Sequence, residues 1–131
     1  MSTPRRTKDV GDHGEALASA YLEREGYVIM ERNYRFERAE VDLVCFLPAI
    51  PYEAGGELVF VEVKTRTGLR FGRPEEAVDE AKKQNILKAA EAYLHEAKMD
   101  GTPCRFDVIG IVLHDGQEPE IEHFKDAFWI F

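Results

Sequence analysis

The stretch Leu58-Val59-Phe60-Val61-Glu62-Val63-Lys64 decides how this chain folds. β-Branched and aromatic residues dominate it and turn residues bound it, so it reads as a buried β-strand. Alternation along a strand puts Leu58, Phe60, Glu62 and Lys64 on one face and Val59, Val61 and Val63 on the other. Glu62 therefore sits in an apolar setting on either face. Burying such a charge unpaired costs on the order of several kcal/mol, a cost offset by a lysine, a metal ion or both. Two readings follow: a structural Glu62–Lys64 pair at a strand end, or a metal-dependent hydrolytic site.

The segment before it sharpens the choice. Glu40 to Leu47 is a second strand, and the Pro- and Gly-rich 48–56 a loop, so the two strands form an antiparallel hairpin. With Leu47 facing Glu57, the register sets Asp42 opposite Glu62. Directly opposed Cβ atoms lie roughly 4.5–5.5 Å apart on one face. Two carboxylates there repel, and one protonates unless a cation sits between them. Mg²⁺ is such a cation, since it takes carboxylate oxygens and keeps several waters. A bulge or a one-residue slip would separate the pair onto opposite faces. Lys64 lies roughly 6.5–7 Å beyond Glu62 by strand rise. An ammonium there can orient or help deprotonate an attacking water, or stabilise charge on a phosphate.

The remaining elements frame this hairpin. Residues 1–10 read as a flexible, mildly basic arm, and 11–131 as a single domain. Asp12 and Glu15 have the spacing of a capping box that opens a first helix, ended by Gly26. Glu15 is explained by that box or by a role in the site. Tyr27 to Tyr34 is the first strand, followed by a charged turn at 35–38. From Lys64 to Arg73 the chain is basic, with Arg66, Arg70 and Arg73 and no acidic residue, and Gly68 and Gly72 suggest mobility. A long helix then runs to about Lys98, beginning near Pro74 or capped by Asp79. Its core stripe Val78, Ile86, Ala89, Tyr93 also contains Lys82, which reads as a snorkelling lysine at the helix start. Arg105 to Leu113 is a fourth strand; Asp107 within it is expected to bond backbone or an arginine. Glu120 to Lys125 is a short last strand. The apolar end 128–131 is expected to pack on the core or on a second subunit. The order αβββαβ, with the extra strand, implies an α/β fold: a mixed sheet flanked by helices, the long helix joining parallel strands.

Composition excludes several classes. The chain has 131 residues, 44% hydrophobic and 32% charged, as in a soluble globular domain. The N-terminus lacks the apolar core of a secretory signal, and no apolar run approaches the roughly 18 residues of a membrane span. The two cysteines, Cys45 and Cys104, form no CxxC pair; Cys45 reads as a reduced core residue, which fits the cytoplasm. The four histidines lack metal-ligand spacing and read as surface residues. No GxSxG, Walker loop or GxGxxG is present, so nothing calls for a nucleotide cofactor. A formal net charge of −8 argues against a protein that coats nucleic acid, while leaving room for a local basic cleft.

Glu15, Asp42 and Glu62-Val63-Lys64 together resemble the PD-(D/E)XK nuclease pattern. The chain more closely resembles the YraN-like family of bacterial proteins. The likeness spans Gly11 to about Ile111 and rests on ordered motifs. These are Gly14-Glu15-Ala16, Tyr21-Leu22, Gly26-Tyr27, Arg32-Asn33-Tyr34-Arg35, Glu40-Val41-Asp42-Leu43-Val44, Leu58 to Arg66, Phe71-Gly72, Glu76-Ala77-Val78, Lys82, Ala89-Ala90, Tyr93-Leu94 and Arg105-Phe106-Asp107-Val108-Ile109. The resemblance implies a restriction-endonuclease-like fold akin to Holliday-junction resolvases. It implies Asp42 and Glu62 as ligands of Mg²⁺ or Mn²⁺, Lys64 as the catalytic lysine and Glu15 as an accessory carboxylate. Two departures stand out: Ala39 replaces a usual Gly, and the 48–56 loop is long. The functional expectation is an endonuclease acting on branched DNA, with Arg66, Arg70, Arg73 and Lys82 on the nucleic acid and a homodimer to cut both strands. The alternatives are a non-catalytic module that binds nucleic acid or protein on the same fold, or an interaction protein with a structural Glu62–Lys64 pair.

Overall fold

A computed structural model describes residues 7–49, 55–67 and 78–128. Its elements follow in the order α1 (Thr7–Arg24), β1 (Val28–Phe36), β2 (Ala39–Pro48), β3 (Gly56–Thr67), α2 (Glu80–Glu96), β4 (Cys104–Leu113) and β5 (Glu120–Phe124). The strands form one mixed sheet in the order β1-β2-β3-β4-β5. β3 and β4, joined through α2, run parallel, and the other neighbours are antiparallel. This is the expected mixed α/β class, consistent with a restriction-endonuclease-like fold.

β3 is apolar on both faces because a helix packs near each one. Leu58 and Phe60 join Ile86, Ala89, Ala90 and Tyr93 of α2 in one cluster. Val59 and Val61 join Ala18 and Leu22 of α1 in the other. All four β3 residues are at most 1% exposed. Burial on this scale, about 25 cal/mol per Å² of apolar surface, is what holds the layers together. Cys45 is a free, buried member of the α1-side cluster, as expected.

The start of α1 departs from the sequence reading. Helix α1 starts at Thr7, so residues 7–10 are helical rather than part of an arm; residues 1–6 lie outside the described residues. Asp12 and Glu15 thus sit within the helix, and the capping-box explanation of Glu15 falls away. At the other end, Gly26 has φ +94° and Tyr27 donates its N–H to the Leu22 carbonyl at 3.0 Å, a Schellman closure. Helix α2 takes one of its two expected starts: Asp79 is its N-cap, accepting the Lys82 N–H at 2.8 Å. Phe128 is buried against the α2-side core, one of the two placements expected for the apolar end, while 129–131 lie outside the described residues.

Candidate active site at the open end of the hairpin

β2 and β3 pair in the expected register, from Pro48↔Gly56 through Leu47↔Glu57 to Leu43↔Val61. Beyond that pair the ladder ends. Where Asp42 would meet Glu62, the Asp42 carboxylate accepts the Val63 N–H through Oδ2 at 2.8 Å. A side chain thus replaces the backbone partner that β3 would otherwise lack.

The reason lies in a change of face. Ala39, Val41, Val44 and Phe46 pack toward α2, whereas Leu43, Cys45 and Leu47 pack toward α1. Val41 and Leu43 would share a face in a regular strand, so β2 rotates at Asp42. β1 does the same: Asn33 has φ +50° and lies between the paired positions Arg32↔Leu43 and Tyr34↔Val41. Arg32 accordingly reaches Ser19 of α1, and Tyr34 stacks edge-on with Tyr93 of α2. Asparagine tolerates this left-handed backbone better than most residues. Its side chain also lowers the Glu15 carboxyl, against the effect of burial.

Glu15 comes within reach because α1 lies against β3 at Gly14. A Cβ on Gly14 would collide with the Thr65 side chain, whose own Cβ would lie 2.9 Å away. Glu15, Asp42, Glu62, Lys64 and Arg66 consequently line a single cleft. Arg66 is exposed at its rim. Arg70 and Arg73 lie outside the described residues. Lys82 is more than a snorkelling lysine: its Nζ lies 3.0 Å from Glu62 Oε1. Lys64 Nζ lies 3.7 Å from the same oxygen.

Glu62 is 3% exposed, and its Oε2 is the one buried side-chain polar atom among the described residues without a partner. A carboxylate oxygen in that state is costly unless something else engages it. Burial first, and the Glu62 charge second, push the Asp42 carboxyl well above the usual carboxylate range. Burial and then the Asp42 charge also raise Glu15, against the lowering effect of Asn33. Lys82 is pulled down by burial but raised more by Glu62 and Asp42, so its charge is secure. Three carboxylates, Glu15, Asp42 and Glu62, thus line the cleft, with Lys64 and Lys82 both on Glu62 Oε1. Among the described residues no set of three or more His, Cys, Asp or Glu side chains converges as a ready metal cage. Two hard carboxylate donors fit Mg²⁺ or Mn²⁺, which leave other positions to water and phosphate oxygen. They do not fit the thiolate and imidazole sets of structural zinc.

A second polar cluster lies in the α1-side layer, away from this cleft. Asp107 is fully buried and accepts from Arg105 Nε at 2.8 Å and from the Asp126 N–H at 2.9 Å, the structural role expected of it. His123 Nε2 lies 2.7 Å from Asp107 Oδ2, and its Nδ1 lies 3.1 Å from the Tyr21 hydroxyl. The His123 side chain is 4% exposed, which corrects the expectation of a surface histidine. β5 pairs it with Ile109 and places it on the same face as Ile121, toward the core. His13 and His95 are exposed as expected, and His114 is partly exposed beside Glu120.

Residues 14–111 match the family model described as "Uncharacterised protein family UPF0102". A UPF0102 protein of Chlorobium chlorochromatii is 45% identical over 135 residues, covering 99% of this chain and 98% of its own. One of Trichlorobacter lovleyi is 44% identical over 119 residues, covering 91% and 89%. One of Rhodococcus opacus is 44% identical over 119 residues, covering 91% and 95%.

Proposed function

We propose that this chain, which belongs to the uncharacterised protein family UPF0102, is a divalent-metal-dependent nuclease that hydrolyses DNA phosphodiesters. The observation that carries the reading is the pairing of Asp42 with Glu62 in one cleft, with Glu62 Oε2 buried and unpartnered. Burial and the Glu62 charge raise the Asp42 carboxyl, and Glu62 Oε2 has no hydrogen-bond partner among the described residues.

Asp42 and Glu62 are the residues that would hold Mg²⁺ or Mn²⁺. When bound, such an ion supplies positive charge that polarises water and phosphate oxygen. Lys64, on the same face as Glu62, is positioned to donate hydrogen bonds to a phosphate and to stabilise charge that develops there. Glu15 shares the cleft; it suits a role in orienting the attacking water. Arg66 at the rim suits a flanking phosphate. The net charge of −8 limits non-specific affinity. It favours a substrate recognised by shape, such as a four-way junction or a flap, over uniform duplex. A second copy of the chain would let one assembly cut both strands.

Incubation with labelled junctions, flaps, single strands and duplexes, with and without Mg²⁺ or Mn²⁺, tests this. Cleavage should require the ion and vanish in Asp42→Asn, Glu62→Gln and Lys64→Met. If wild type and Glu62→Gln leave every substrate equally intact, the nuclease reading fails for those substrates. The same residues would then belong to a non-catalytic binding module.

A further inference from the structure

Lys64 and Lys82 approach the same oxygen of Glu62, but unequally. Lys82 Nζ is 3.0 Å from Oε1, within hydrogen-bond distance, and Lys64 Nζ is 3.7 Å away, outside it. Oε2 has no partner. Lys82 belongs to the first turn of α2, and its backbone N–H is pinned by the Asp79 cap at 2.8 Å. Val78, one residue before that cap, is 4% exposed in the core. The start of α2 is therefore anchored on both sides of the cap, and the lysine it presents meets Glu62 across the sheet-to-helix layer.

We propose that Lys82 is a positioning residue: it holds Glu62 by Oε1, leaving Oε2 without a protein partner and sparing Lys64 a hydrogen bond to that carboxylate, so that Lys64 can act on phosphate. A buried carboxylate with one ammonium near it draws that ammonium in. With a second ammonium supplied from α2, Lys64 keeps only a looser ion pair, at 3.7 Å, with that oxygen. Lys82 thus acts through Glu62 and Lys64 rather than on the nucleic acid. The inference deepens the nuclease reading and rests on it for its purpose, although the division of labour between the two lysines is a property of the metal-free, DNA-free protein.

Acetylation of the native protein by N-hydroxysuccinimidyl acetate, read lysine by lysine through peptide mass spectrometry, tests it. In Lys82→Met, Lys64 becomes the sole cation on Glu62, and its acetylation should slow by about threefold or more, the scale of a partly exposed ion pair. Lys88 and Lys98 should react as in wild type. Lys82→Arg, which keeps the charge, should restore the wild-type rate at Lys64. An unchanged Lys64 rate in folded Lys82→Met overturns the proposal. Should that variant not fold, Glu62→Gln decides, since loss of the shared carboxylate must speed acetylation of both lysines; no change at Lys82 overturns it. Mn²⁺ binding by wild type, followed by electron paramagnetic resonance, tests the metal-site reading separately, because the acetylation result needs no metal.

Discussion

The carboxylate of Asp42 accepts the backbone N–H of Val63 at 2.8 Å, beyond the last paired residues of the β2–β3 ladder. One residue is thus both a structural acceptor and half of the carboxylate pair. The two roles separate by mutation. Asp42→Asn keeps an oxygen for Val63 and removes the repulsion with Glu62, so thermal unfolding of the metal-free protein should occur at the same temperature or higher. Asp42→Ala leaves the Val63 N–H without its acceptor and should cost about 1–3 kcal/mol in urea unfolding. Both variants should lose the stabilisation that millimolar Mg²⁺ or Mn²⁺ gives wild type.

A second expectation concerns pH. Burial and the Glu62 charge raise the Asp42 carboxyl to about 7. A carboxyl raised in the folded state holds its proton there after the unfolded chain has lost its own. Its contribution is therefore full at low pH and lost as pH rises toward the folded value. Metal-free wild type should lose stability between the ordinary carboxylate range and neutrality more than Asp42→Asn does. Added Mg²⁺, which needs the ionised form, should stabilise increasingly over the same window. Melting curves across pH, with and without the ion, check both slopes.

Gly14 sets how closely α1 approaches β3. Gly14→Ala forces a Cβ into Thr65, whose β-branched side chain has little rotamer freedom. A loss of about 1–3 kcal/mol is expected, as for other overpacked sites. Shortening the partner in Gly14→Ala/Thr65→Ala should return part of it. A double-mutant cycle by chemical denaturation measures the coupling. A sum of single effects with no coupling would mean that the helix moves away from Thr65 at no cost.

The buried Asp107 cluster should behave as a stability element. Burial alone would raise the Asp107 carboxyl, but His123, Arg105 and the Asp126 N–H together hold it below the usual range. A depressed carboxyl stabilises the fold above its unfolded pKa, and that stability is lost as pH falls below it. Asp107→Ala should cost about 3–5 kcal/mol by stranding its cationic partner. It should also flatten the acid limb of the stability curve. Urea unfolding at neutral and acidic pH measures both.

Much of this was legible in the chain. The run from Leu58 to Lys64 read as a buried strand, because β-branched and aromatic residues occupy both of its faces. The loop after Leu47 then dictated the hairpin register, and the register brought Asp42 to Glu62. What resisted reading depends on departures from regular geometry. The face switch at Asp42 and Asn33 breaks the alternation on which strand patterns rest; an asparagine within a strand run was the available signal. The early start of α1 was hidden by Gly11 and Gly14, which lower helix propensity but are accepted where Gly14 lets the helix lie against Thr65. His123 carried only one cue, its spacing from Ile121.

The sequence by itself determined the element order, the sheet's buried strands and the hairpin that unites the carboxylates, because hydrophobic periodicity and turn chemistry act locally. Only the tertiary structure decided that Lys82 takes Glu62 Oε1, that Oε2 is left unpartnered and that Glu15 joins the cleft rather than capping a helix. Those facts depend on where two helices dock on one sheet, and docking is set by close packing between residues distant in the chain.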